Sequence, residues 1–206
     1  MGIDKFLINE EQPVINIVMS GVGGQGVLVA SDILTMAALN AGLDTKKSEV
    51  HGMAQRGGSV VSQIRIGEKI YSPLIAKGTA DILIAFEKLE AVRYLEMLKP
   101  GGVVVVNDQQ ITPLTVYFAN IPYPEDVEAI CRRRAGEFIA IEGIQIAEDL
   151  GNTRVLNSIM LGALSSFLNI KKDDWTKAIE QRVPPKTIPL NIKAFEAGAK
   201  ISEKVT

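Results

Sequence analysis

An α/β fold built on a mostly parallel sheet is what this sequence predicts, and three observations predict it. Apolar, β-branched runs bounded by glycine recur as far as Ile141, and such runs belong to strands buried on both faces. Stretches with apolar residues at helical spacing separate them, which is the order of βαβ units. From about Ile144 the pattern turns helical altogether. The expectation is one domain over residues 1–206, with a sheet core at 13–143 that contains an antiparallel hairpin and a helical extension at 144–206.

Each element has its own warrant. Val14 to Ser20 is a nearly continuous apolar run, hence a buried strand. VLVASDILTMAALNAG places Val27, Ala30, Ile33, Leu34, Ala37 and Ala38 on one helical face and stops at Gly42, a residue suited to a helix C-terminus. A second strand falls within Asp44 to Val50, followed by the polar, glycine-rich HGMAQRGG. Ser59 to Ile66 alternates, and Gly67-Glu68 leads into Lys69 to Tyr71, which predicts the hairpin between those two segments. The order resumes with a strand at Asp81 to Phe86, a helix at Lys88 to Leu98, a turn at Pro100-Gly101-Gly102 and a strand at Val103 to Asn107. Strands at Thr115 to Ala119 and Phe138 to Ile141 flank a helix near Glu125 to Arg134. Three helices follow, one over Asn157 to Leu168, one marked by Trp175, Ala178 and Ile179, and one by Ile192, Phe195 and Ala199. Pro184 and Pro185 separate the last two, because proline cannot donate to a helical ladder.

Composition narrows the function classes. The 206 residues carry 22 basic against 24 acidic side chains, with 47% hydrophobic and 22% charged residues. That is the make-up of a folded core, not of a disordered chain or a disulfide-stapled mini-protein. The near-neutral balance leaves no electrostatic footprint for nucleic acid. The longest apolar runs, Val14 to Met19 and Ala80 to Phe86, are too short to span a bilayer. The opening MGIDKFLINEEQ has no basic region ahead of an apolar stretch, and Phe6 stands where a myristoylation signal has Ser or Thr, so the expected compartment is the cytoplasm. The single Cys131 and single His51 exclude an internal disulfide, a chain-held iron-sulfur cluster, a CxxC zinc site and a His-rich cage. The CRRR run beside Cys131 would favour a thiolate, whereas a lone cysteine is more often a small buried apolar residue.

Two segments carry chemistry. Gly21, Gly23 and Gly26 satisfy G-x-G-x-x-G between a predicted strand and a predicted helix, the Rossmann-like arrangement in which free amides at a helix N-terminus attract phosphate. The same glycines can serve only to let strand and helix pack closely. Gly24 and Gln25 give the turn almost no apolar cover, so it faces a ligand or a partner. A ribose-binding acid belongs about 20 residues on; Asp44 and Glu49 are the choices, while Lys46 and Lys47 would suit a 2'-phosphate or a solvated face. A free-standing NAD(P)-dependent oxidoreductase or a nucleotide-binding module is therefore one reading. The second segment, Ser48 to Ser59, falls at the carboxyl edge of the sheet beside the first turn. There Glu49 and His51 form a candidate acid-base pair, and Gln55, Arg56, Gly57, Gly58 and Ser59 a candidate binding set in which Arg56 grips a carboxylate or phosphate. The plain alternative is a surface loop with a solvated arginine.

GVGGQGVLVASDIL, SEVHGMAQRGGSVVSQIR, YSPLI and ADILIAFEKLEAVR, in this order, resemble the small beta subunits of indolepyruvate ferredoxin oxidoreductases, and more broadly the gamma-type domain of the 2-oxoacid:ferredoxin oxidoreductases. The likeness runs from about Val14 to Asn107 and continues more loosely beyond; HGMAQRGG points to the indolepyruvate type. It implies oxidative decarboxylation of an aryl 2-oxoacid with coenzyme A, giving an acyl-CoA, carbon dioxide and reduced ferredoxin. It also implies that thiamine diphosphate, magnesium and iron-sulfur clusters reside on a large alpha subunit. This chain has no G-D-G diphosphate signature and one cysteine, which fits that division. The implied task is to wall the active site at the subunit interface, with Gly21, Gly23, Gly24, Gln25, Gly26 and the His51 to Ser59 loop as contacts and Arg56 orienting a substrate carboxylate or a coenzyme A phosphate.

Overall fold

A computed structural model describes residues 14–51, 57–111 and 123–202. Six strands form one sheet in the order β2-β3-β1-β4-β5-β6, from β1 (Val14–Val22), β2 (Asp44–His51), β3 (Ser59–Gly67), β4 (Ala80–Ala85), β5 (Leu98–Asn107) and β6 (Ala135–Ile141). β1, β4, β5 and β6 run parallel to their neighbours in that set. β3 lies antiparallel to both β1 and β2. The helices are α1 (Val27–Asn40), α2 (Lys88–Tyr94), α3 (Val127–Arg132), α4 (Gly143–Asp149), α5 (Leu156–Ser165), α6 (Lys172–Arg182) and α7 (Ile188–Ser202).

Strand alternation divides the core in two. Ile17, Met19, Ile82, Ile84, Val105 and Ile139 face α1 and the C-terminal helices. Val18, Leu83, Ala85 and Val104 face α2 and α3. β4 is buried along its whole length, as expected for a central strand covered on both faces. α1 buries Ala30, Ile33, Leu34, Ala37 and Ala38, the predicted stripe. It ends in a Schellman motif in which the Gly42 and Leu43 amides donate to Leu39 and Ala38 carbonyls at 3.0 Å, with Gly42 at φ +82°. That left-handed residue costs glycine little.

The hairpin differs in one arm from the sequence expectation. β3 pairs with β2, not with Lys69 to Tyr71, which form no strand. The reason is the sheet itself: β3 has β1 on one edge and β2 on the other, so no ladder edge remains for residue 69 onward. The crossover to β4 is instead pinned by side chains. Asp44 Oδ2 accepts from the Ile70 amide at 2.7 Å, Gln63 Oε1 from the Ile75 amide at 2.7 Å, and the Arg65 guanidinium donates to the Ser72 carbonyl at 3.1 Å. The expected strand at Thr115 to Ala119 lies outside the described residues.

Candidate functional site

β1 and β4 are parallel neighbours whose following helices, α1 and α2, lie on opposite faces of the sheet. Their carboxyl ends therefore form the switch point at which open α/β sheets bind ligands. The Gly21 to Gly26 turn sits there. Its neighbour is the end of the β2–β3 connection: Val22 is in register with Ser59, Gly21 with Val60, and the Gly23 amide donates to the Gly58 carbonyl at 2.9 Å. The two segments singled out from the sequence thus meet at one edge.

Within the first turn the residues divide. A Cβ on Gly21 would come within 2.7 Å of Val27 Cγ2 and 2.9 Å of Phe86 Cβ, so that glycine serves close strand-helix packing. Gly26, the N-cap of α1 at φ +83°, has no side-chain cap and no acid in the first helical turn, and faces Asn157 of α5. Gly24, at φ +107°, is exposed, and no described residue lies within 4 Å of a Cβ placed there. Gln25 turns inward instead of outward. Its Oε1 accepts from the Val22 amide at 2.7 Å, and its Nε2 donates to the Phe86 carbonyl at 2.8 Å and to Gln109 Oε1 at 2.9 Å. Asn107 extends the same network, donating to the Phe86 carbonyl at 3.0 Å and accepting from the Gly143 amide at 3.0 Å. An amide lattice thereby fastens the ends of β1, β4 and β5 to the start of α4.

The acid candidates are engaged elsewhere. Asp44 holds the Ile70 amide and Lys46, and the bond from the Ile70 backbone foremost keeps its carboxyl below the ordinary value. Glu49 accepts from Lys47 at 2.7 Å and from Ser31 Oγ at 3.2 Å. Lys47 also binds Asp32, which Arg182 reaches at 2.7 Å. This network joins β2 to α1 and α6. It occupies the residues that a ribose or a 2'-phosphate would need, which removes the support for the dinucleotide reading. His51 is the last residue of β2, in register with Val60. Gln55 and Arg56 lie outside the described residues, and Gly57 is exposed at φ +77°.

The structure adds a buried acidic cluster that the sequence reading passed over. Glu87 caps α2 and accepts from the Glu90 amide at 3.1 Å, the Ile111 amide at 3.0 Å and Tyr123 Oη at 2.5 Å. Burial, reinforced by Glu87, raises the Tyr123 phenol far above its usual range. Glu90 accepts from Ser59 Oγ at 2.5 Å. The available signal was the spacing of Glu87 and Glu90 just after the strand Asp81 to Phe86, where two acids three apart mark a helix start. Tyr123 also lines a cleft of about 200 Å³ with Lys88, Asp108 and Asp126.

Among the described residues the donor set does not fit a cluster or a metal. Cys131 is buried, and burial lifts its thiol to about 11, so the neighbouring arginines do not make it a thiolate. Arg132 pairs instead with Glu128 at 2.7 Å and lies over the Phe138 ring. Among the described residues no group of three His, Cys, Asp or Glu side chains could hold a metal ion, and no helix is long and apolar enough to cross a membrane.

Comparison with known proteins agrees with this geometry. A family model described as pyruvate ferredoxin/flavodoxin oxidoreductase matches residues 16–201. Indolepyruvate oxidoreductase subunit IorB of Thermococcus kodakarensis is 39% identical over 92% of this chain and 96% of its own length. The protein of the same name from Archaeoglobus fulgidus is 38% identical over 89% of this chain and 93% of its own. Among solved structures, the gamma subunit of a keto/oxoacid ferredoxin oxidoreductase from Geobacter sulfurreducens superposes with a TM-score of 0.69 at 27% identity, covering 92% of this chain and 99% of that one. A 2-oxoglutarate:ferredoxin oxidoreductase from Magnetococcus marinus shares the fold, with a TM-score of 0.72 at 21% identity, over 32% of its chain. Since the likeness spans nearly all of this sequence and includes the strands that bring its two glycine segments together, the chain belongs to the pyruvate ferredoxin/flavodoxin oxidoreductase family.

Proposed function

We propose that this chain is the small subunit of an indolepyruvate-type, aryl 2-oxoacid ferredoxin oxidoreductase, acting in the cytoplasm as a single domain paired with a large alpha subunit. The observation that carries the reading is the junction of the two glycine segments, Gly23 amide to Gly58 carbonyl, at the sheet's switch point, in a chain whose relatives are named subunits of such enzymes. Thiamine diphosphate with magnesium, together with iron-sulfur clusters, supplies the decarboxylation and electron-transfer chemistry from the large subunit, and coenzyme A and ferredoxin complete the reaction there. The residues of this chain bind, orient and exclude. The exposed Gly24 and Gly57 let backbone approach the partner closely. Arg56 orients the substrate carboxylate or a coenzyme A phosphate through paired N–H donors. His51 stays a hydrogen-bonding neighbour, and the closed edge keeps water from the reacting centre.

Two measurements test this. The chain, tagged and expressed beside its large partner, should bring down a brown, cluster-bearing protein; recovery of the chain alone contradicts the assignment. In the assembled complex, Arg56→Ala should lower kcat/KM for an aryl pyruvate by about a hundredfold, the scale of a misplaced reacting group. Unchanged turnover removes Arg56 from the site.

A further inference from the structure

Glu90 does something that its helix does not require. It stands three residues after the N-cap Glu87, where the glutamate of a capping box reaches back to the N-cap amide. Its carboxylate goes to β3 instead, Oε2 accepting from Ser59 Oγ at 2.5 Å while Oε1 faces Arg93 Nε at 3.2 Å. Tyr94 Oη lies 3.3 Å from the same Ser59 hydroxyl. From the other side, Ser20 Oγ of β1 donates to the Glu90 carbonyl at 3.3 Å. The first turn of α2 is therefore tied to both strands whose ends carry the glycine segments. The side chain is 2% exposed, and a buried carboxylate is an unfavourable choice for packing alone.

Among the described residues the groups around it are few. Arg93 and Glu87 supply charge of opposite sign, Tyr94 and Ser59 supply hydroxyls, and the Tyr123 phenol stands beside Glu87. Burial raises the Glu90 pKa; Ser59 and Arg93 draw it back, and Glu87 adds to the rise. The sign for stability follows. The folded value lies above the ordinary 4.5, so ionisation opposes folding, with no penalty below pH 4.5 and a growing one as pH climbs to the folded value. An ionised carboxylate at this buried place therefore opposes folding above pH 4.5, and carboxyls perturbed by burial cluster at functional sites.

We propose that Glu90 is a positioning residue for the reaction: through Ser59 Oγ it fixes the Gly57–Ser59 backbone against the Gly23 turn, and so sets how this edge meets the reacting centre. The inference rests on the reading that this edge faces the partner's active site. It is tested in the assembled two-subunit complex with Ser59→Ala, Glu90→Gln and the double variant, by kcat and KM for an aryl pyruvate and by Tm. Each single variant should lose about tenfold in kcat/KM, and the double should lose no more than the worse single, because both act through one contact. At pH 7 the Tm of Glu90→Gln should equal or exceed that of the parent.

Single losses within twofold, or a double loss equal to the product of the singles, overturn the inference. So does a Tm of Glu90→Gln that falls in step with activity. Where Glu90→Gln does not assemble, Ser59→Thr, which keeps the hydroxyl, decides: recovery to within twofold of the parent while Ser59→Ala stays impaired supports the role, and equal impairment overturns it. Arg56→Ala in the same assay keeps the two readings apart. Its loss of turnover beside normal turnover in Ser59→Ala overturns the role of Glu90 alone, whereas normal turnover in Arg56→Ala, Ser59→Ala and Glu90→Gln alike overturns the reading of the edge.

Discussion

Gly21 and Gly24 stand three residues apart in one motif and answer different demands. At Gly21 an added methyl meets Val27 and Phe86 at 2.7 and 2.9 Å, and a well-packed core resists such an insertion by about 1–3 kcal/mol. At Gly24 no described residue lies within 4 Å, and the backbone at φ +107° is what opposes a side chain. The Tm of Gly21→Ala should therefore fall below that of Gly24→Ala in thermal melts; the reverse order would remove the packing role of Gly21. The sequence could raise both readings of the glycine motif but could not divide them, because the decisive contacts come from Val27 on α1 and Phe86 after β4. Gln25 shows the same limit. Its polarity argued for an outward residue, yet its amide closes the Val22 and Phe86 backbone groups, a role set by a residue 61 positions away in the chain. Glu90 was hidden for a similar reason, since Ser59 reaches it only after β3 has inserted beside β1.

At the scale of elements, two contacts bear weight. α5 and α7 cross where Gly162 and Gly198 lie, and a Cβ on either would fall 1.9 Å from a backbone oxygen of the opposite helix, Phe195 or Ile159. Backbone cannot yield as a flexible side chain does, so Gly162→Ala or Gly198→Ala should lower stability by about 3 kcal/mol or more. Denaturant melts would show it as a lower midpoint, and an unchanged midpoint would contradict the crossing. The outer strand β2 is fastened to α1 and α6 by Lys47, Asp32 and Arg182. Burial raises the Asp32 pKa, but the bonds from Lys47 and Arg182 outweigh it and hold the carboxyl below the ordinary 3.8. A depressed folded value contributes stability that is present above pH 3.8 and lost as pH falls through the folded value. Asp32→Asn should thus melt below the parent at pH 7, with a gap that narrows as pH falls below 3.8; a gap that stays constant would deny the ion pairs their part. The strands and α1 were legible because their periodicity is local. The partner of β3 was not, since alternation in Ser59 to Ile66 marks a strand without naming which of two edges it fills.

For the molecule as a whole, the order of elements in the sequence sufficed for an α/β sheet with added helices, and Trp175, which marks one of those helices, is buried against Phe195. The one cysteine is buried with a raised thiol, which fits the proposal that a partner subunit carries the electron-removing clusters. The most direct measurement is a coenzyme A-dependent assay of aryl pyruvate oxidation with a ferredoxin-type acceptor, run on the purified chain and again after adding the cluster-bearing large subunit. The predicted result is no turnover by the chain alone and turnover in the mixture. Oxidation of the 2-oxoacid, or hydride transfer to a nicotinamide cofactor, by the chain on its own would contradict it.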